Sequence, residues 1–118
     1  MTKYNSTDNK TVLDSEDDAA TIAWGGNWRM PTTAEFQALR DAVNTEWVSD
    51  YQGSGVAGLV CTDKTNSSKV LFFPACGYCY NGGVDGVDSY GYYWSSSLFS
   101  SYVQNSYYLT FYRTNVSW

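Results

Sequence analysis

Every helical signal in this chain falls within the first 44 residues, and the remaining 74 read as short strands and turns. Leu13-Asp14-Ser15 leads into EDDAATIAW, where Ser15 and Asp18 have the spacing of a capping box. Acidic residues in a first turn complement the helix dipole. This predicts a short helix over about 16–23, ended by Gly25-Gly26. Thr32 and Glu35 form a second capping box in TTAE, and Phe36, Leu39 and Val43 recur at i, i+3, i+7. That is the core stripe of an amphipathic helix, predicted over 33–44. Glu46-Trp47-Val48 and Tyr51 then precede a Gly53-Ser54-Gly55 turn signal. Val56–Thr62 and Lys69–Phe73, separated by the polar run 63–68, read as a β-hairpin. Residues 77–91, with Gly77, Gly82, Gly83, Gly86 and Gly91, read as a long irregular loop. Tyr92–Ser96 and Tyr107–Arg113 read as strands. In the latter, Leu109 and Phe111 share one face, and Tyr108, Thr110 and Tyr112 share the other. Helices succeeded by strands make an α+β chain, two helices packed on small antiparallel sheets. A length of 118 residues suits one domain spanning 1–118.

Charge narrows the function. Seven Lys+Arg are scattered among twelve Asp+Glu, giving a net charge of −5. No basic patch can form, which excludes nucleic acid as the expected partner. No apolar run approaches the ~20 residues of a membrane span. The N-terminus MTKYNSTDNKTVL lacks a basic-then-apolar signal pattern. The chain has no histidine, so a general base would have to be Asp, Glu, Lys, Tyr or Cys, and nothing clusters the pairs such chemistry needs. No catalytic residue, metal or cofactor is therefore expected. Asp85 and Asp88 read as turn residues of the glycine loop rather than cation ligands. Cys61, Cys76 and Cys79 are an odd number, against a complete disulfide framework. They read as small buried or half-buried thiols, with a Cys76–Cys79 bridge as the alternative in an oxidising compartment.

The last 29 residues, from Tyr90 to Trp118, hold eleven of the twenty-one aromatics, and Arg113 is their single charged side chain. Tyrosine offers large amphipathic contact area at low entropy cost, and Ser and Asn offer adaptable hydrogen bonds, the composition of antibody paratopes. Tyr93, Trp94, Leu109 and Phe111 are expected in the core. Tyr102, Gln104, Asn105, Tyr108, Tyr112, Arg113 and Asn115 are the candidate ligand-binding residues, with Arg113 a candidate hot spot.

The segment Gly25-Gly26-Asn27-Trp28-Arg29-Met30-Pro31-Thr32-Thr33-Ala34-Glu35-Phe36 resembles the R-[LM]-P-T-x-A-E-[WF] signature of two related families. One is the formylglycine-generating-enzyme and sulfatase-modifying-factor family. The other is the Fibrobacter-type major paralogous domain, abundant in Bacteroidetes. Resemblance to the second is broader. It takes in Asp17-Asp18-Ala19-Ala20 and Trp24, then Val70–Ala75 with Gly77-Tyr78, then Gly91–Ser96, in the expected order. It implies a C-type-lectin-like fold with a long irregular loop region, in which Trp24 and Trp28 are core anchors and the motif is structural.

The resemblance also sets limits. The cysteine pair that formylglycine-generating enzymes use near their C-terminus has no counterpart after Tyr90, so that oxidase chemistry is not implied. Neither Pro31 nor Pro74 lies in the setting that calcium-dependent lectins use to chelate sugars. The Tyr/Ser/Asn/Phe mix after Trp94 resembles the variable proteins of diversity-generating retroelements, and Leu109 and Phe111 resemble their unvaried scaffold. Family members continue past this point to a closing strand. A chain ending at Trp118 is expected to leave unpaired edges that favour a homodimer. Together these readings predict a non-catalytic module for a protein or carbohydrate ligand, displayed at a cell surface, extracellularly or on a phage virion. The alternative is a structural or assembly domain of an adhesin or tail fibre.

Overall fold

The computed structural model describes residues 3–102 and 105–118. They form an α+β arrangement of two helices and three small antiparallel sheets.

Helix α1 (Ala19–Trp24) starts later than the sequence pattern places it, and Asp18 rather than Ser15 caps it. The Asp18 carboxylate accepts the N–H groups of Ala20 and Thr21, both at 3.0 Å. The acidic residues ahead of it are engaged elsewhere. Lys3 pairs with Asp14, Glu16 and Asp17, and Lys10 with Asp14 at 2.7 Å. A carboxylate held by a lysine before the helix begins is no longer a first-turn charge.

Helix α2 (Thr33–Ala42) has the predicted capping box. Thr32 N–H donates to Glu35 Oε2 at 2.8 Å, and Glu35 N–H donates to Thr32 Oγ1 at 3.3 Å. Arg29 clamps the same carboxylate with two bonds at 2.8 and 2.5 Å, drawing the Glu35 pKa down to about 2. The helix stops before Val43, which the i+7 pattern assigns to it. Val43 instead opens β1 (Val43–Val48), pairing with Asp63 of β2 (Gly58–Asp63). The switch comes where the Lys64 N–H takes the Ala42 carbonyl at 3.0 Å, giving that carbonyl a partner outside the helix.

Strand β2 pairs on its other side with β3 (Val70–Pro74), so the predicted hairpin is the centre and one edge of a three-stranded sheet. The 77–91 region is not one irregular loop. It contains a small hairpin, β4 (Tyr78–Tyr80) and β5 (Gly83–Asp85), closed by Asn81-Gly82 with φ of 48° and 80°. Both central residues of this turn are left-handed, which Asn-Gly adopts with least strain. The third sheet has the order β6 (Tyr90–Leu98), β7 (Ser106–Tyr112), β8 (Asn115–Ser117). Strand β8 comes after β7 and the two residues Arg113 and Thr114, with Tyr112 opposite Asn115.

The described chain gathers into two compact units, Met1–Phe36 with Trp94–Tyr108, and Gln37–Tyr93 with Leu109–Trp118. In the first, the serines after Trp94 are structural. Ser95 and Ser96 are buried. The Ser96 N–H donates to the Pro31 carbonyl at 2.9 Å, and its own carbonyl accepts the Leu13 N–H at 2.8 Å. Thr33 N–H reaches Ser97 Oγ at 3.0 Å. Three residues expected in the core are not there: Trp24, Trp28 and Trp94 are 71%, 66% and 58% exposed. Trp24 and Trp28 meet edge to face at 5.8 Å. The buried anchor of their segment is Asp18, whose carboxylate also takes the Met30 N–H at 2.9 Å.

In the second unit the core centres on Leu109 and Phe111, both fully buried as predicted, with Leu59, Cys61, Ala57 and Ala75. Phe111 stacks on Tyr93 at 6.0 Å and meets Phe73 at 6.5 Å and Trp47 at 6.3 Å edge on. Tyr93 is half-buried, and its hydroxyl donates to the Pro74 carbonyl at 2.7 Å. Gly91 lies so close beneath Phe111 that a Cβ there would overlap the ring.

The cysteines divide by environment. Cys61 is buried and its thiol pKa is pushed up to about 11 by burial, whereas Cys76 and Cys79 are exposed and unbridged. The expectation of buried or half-buried thiols therefore holds for Cys61 alone. Iodoacetamide at neutral pH, read by intact mass, is expected to modify Cys76 and Cys79 in the folded protein. Cys61 is expected to react only after denaturant is added, since the thiolate is the reactive form. Labelling of Cys61 without denaturant would contradict this packing.

Candidate functional site

Strict alternation along β7 places Tyr108 and Tyr112 opposite the buried Leu109 and Phe111, and both tyrosines are exposed. From there the candidate residues go to different places.

Tyr112 and Arg113 belong to the second unit and line a cavity of about 780 Å³. Each wall has a local cause. Trp47 comes from β1, where residues of one parity share a face, and its indole is held edge on against Phe111. Asp88 sits at φ 60° in the turn before β6, fixed by its N–H donating to the Ala75 carbonyl at 2.8 Å. Tyr90, the first residue of β6, has its N–H bonded to the Gly86 carbonyl at 2.9 Å. Its ring tilts against Tyr112 at 5.9 Å. Arg113 occupies the tight turn between β7 and β8. Ser49 and Ser89 add hydroxyls to the wall. Asp88 and Arg113 share this cavity without pairing with one another, and among the described residues neither takes part in a salt bridge.

Asn105 and Tyr108 belong to the first unit and line a second cavity, of about 550 Å³, with Trp94, Phe99, Met30 and Leu13. Trp94 meets Tyr108 edge to face at 5.2 Å. The Asn105 carbonyl accepts the Phe99 N–H at 2.7 Å, and the Asn105 N–H donates to the Tyr102 carbonyl at 2.8 Å, so backbone bonds fix this corner. Among the described residues, no charged side chain lines the cavity. Tyr102, 65% exposed, borders a different hollow beside Asn9 and Lys10. Asn115 is exposed on β8, and Gln104 lies outside the described residues.

Several wall residues escape a reading based on the composition of the tail. Trp47 stands in a segment that reads only as the approach to a turn, although Val43, Thr45 and Trp47 already alternate as a strand would. Asp88 reads from sequence as a turn residue, and the cavity gives it the place of a hydrogen-bond acceptor. Trp94 and Tyr90 lie in the aromatic tail, but the first is expected in the core and the second has no role in the sequence pattern. Asp85 is occupied locally, its carboxylate accepting the Gly86 N–H at 2.8 Å. The acidic group Asp14, Glu16 and Asp17 is met by Lys3.

Among known families, residues 61–118 are similar to the one described as Domain of unknown function (DUF8237), a stretch that runs from within β2 through β8. No curated protein and no solved structure matches the chain.

Proposed function

We propose that this chain is a non-catalytic ligand-recognition module on a C-type-lectin-like frame, and that the 780 Å³ cavity of the second unit is its principal reading site. One observation carries the reading. Tyr112 and Arg113, picked out by the composition of the tail, meet Trp47, Tyr90 and Asp88 around a single cavity. A concave site with aromatic walls and a few convergent polar groups is the usual form of a small-ligand pocket. Aromatic and arginine residues are the side chains that most often dominate binding energy. The resemblance to retroelement-diversified proteins fits this division, since Arg113 lies in a tight turn while Leu109 and Phe111 are fully buried. The partner is a protein or a carbohydrate, or a small group borne on one, met at a cell surface or on a virion.

The test is a printed array of glycans and surface proteins probed with the chain, with Tyr112→Ala and with Arg113→Ala. Binding is expected to weaken about tenfold or more in either variant, the loss of a hot-spot contact. Array signals that ignore both substitutions would remove the cavity from the function. A second reading, self-assembly, draws on large exposed aromatics outside this cavity, Trp24 and Trp28 in one unit and Tyr80 in the other. Sedimentation velocity would show concentration-dependent oligomers if that reading held.

A further inference from the structure

We infer that the second unit's cavity is built for a small zwitterion, a quaternary ammonium joined by a short linker to a phosphate or carboxylate. This rests on the ligand-recognition reading and names its chemistry. Asp88 and Arg113 face one cavity as opposite charges, and neither is committed to the other or to another salt bridge among the described residues. Trp47, Tyr90 and Tyr112 complete the wall. Aromatic rings attract cations through the negative face of the π system, and groups of them are the usual receptor for quaternary ammonium. Asp88 adds a carboxylate to the same cation. A guanidinium grips phosphate or carboxylate with paired donors, and Ser49 and Ser89 offer further hydroxyl donors.

Simpler ligands fit less well. A lone anion would meet Arg113 and be repelled by Asp88, and a lone cation would meet the reverse. A neutral sugar can hydrogen-bond to both groups but neutralises neither, leaving two charges to be partly desolvated with no opposite charge in return. A zwitterion satisfies both at once. The chain's net charge of −5 adds no long-range preference for an anion.

The experiment titrates the full chain with phosphocholine and glycine betaine by calorimetry and by NMR of the tryptophan indole and arginine Nε–H signals. Choline alone, inorganic phosphate alone and a neutral disaccharide serve as comparisons, and phosphatidylcholine vesicles ask whether the headgroup is taken free or from a membrane. Saturable binding of a zwitterion, at least about tenfold tighter than choline or phosphate, is expected. Arg113→Ala should reduce phosphocholine to the level of choline while leaving choline as tight as before or tighter. Asp88→Asn should weaken both. Binding to free phosphocholine or to vesicles supports the inference alike and identifies the source. Disaccharide binding that depends on Tyr112, without zwitterion binding, overturns the inference and leaves the recognition reading standing. Silence from every probe, with array binding also indifferent to Tyr112 and Arg113, overturns both.

Discussion

Replacing Phe111 with alanine is expected to lower the unfolding free energy by about 3–5 kcal/mol, the usual cost of emptying a large aromatic site in a core. Phe111 is fully buried in the second unit. Tyr93, Phe73 and Trp47 meet its ring at 6.0, 6.5 and 6.3 Å. Aromatic pairs add about 0.5–1.5 kcal/mol beyond area burial. The glycine beneath makes the site rigid on that side, so collapse around the vacancy is limited and the loss should fall toward the upper end. A domain typically has about 5–15 kcal/mol in total, so F111A is expected near the edge of folding, and urea denaturation of Phe111→Leu supplies a milder measurement on the same site. Gly91→Ala attacks the contact from the other side and is expected to destabilise by about 1–3 kcal/mol through overpacking. If F111A unfolded within about 0.5 kcal/mol of the parent, the scale of a surface change, this core assignment would be wrong. Because Trp47 leans on Phe111, the leucine variant should also weaken ligand binding at the cavity more than its stability loss alone explains.

Asp18→Ala is expected to cost about 2–4 kcal/mol, combining a lost N-cap with the part-buried Met30 N–H left without its acceptor. The carboxylate takes the N–H groups of Ala20 and Thr21 at 3.0 Å each and that of Met30 at 2.9 Å. It therefore ties the start of α1 to the segment that leads into α2. Asp18→Asn keeps an acceptor oxygen and should recover part of the loss. Burial pushes this carboxyl's pKa up, but the hydrogen bonds from Thr21, Met30 and Ala20 outweigh it and hold the group below its ordinary 3.8. With the folded pKa depressed, the contribution is present above pH 3.8 and is lost as pH falls through the folded value. Thermal melts from pH 7 to pH 2 should therefore show parent and D18N converging at the acid end. A constant gap across that range would mean the charge on Asp18 contributes nothing.

Local chemistry is legible where a few adjacent residues settle it. The Thr32–Glu35 box and the start of α2 come from side chains three apart. The in–out order of Leu109, Phe111, Tyr108 and Tyr112 comes from the pleat. The Asn81-Gly82 turn has an equally local signature, but the glycines on either side of it suggest irregular chain and mask the hairpin. Other features have no local signature. Ser15 and Asp18 are both good caps, and the choice falls to Asp18 because Met30, twelve residues on, needs the same carboxylate. Val43 satisfies the helical stripe yet joins β1, because Asp63 offers it a strand partner.

The binding residues divide along the same line. Composition picks out Tyr112 and Arg113, but not Trp47 or Asp88, which reach the cavity from distant positions in the chain. The tryptophans are misplaced too: the family resemblance puts Trp24 and Trp28 in the core and the strand reading puts Trp94 there, yet all three stand exposed, while Ser95 and Ser96 are buried because the backbone around Pro31 and Leu13 bonds to Ser96. By itself the sequence determined the α+β order, the second helix cap and the alternation that exposes Tyr108 and Tyr112, since each depends on spacing along a few residues. The tertiary structure decided which carboxylate caps α1, where α2 ends, which aromatics are buried and which groups share a cavity. Those outcomes depend on hydrogen bonds and ring contacts between residues far apart in the chain, and no local pattern encodes the partner.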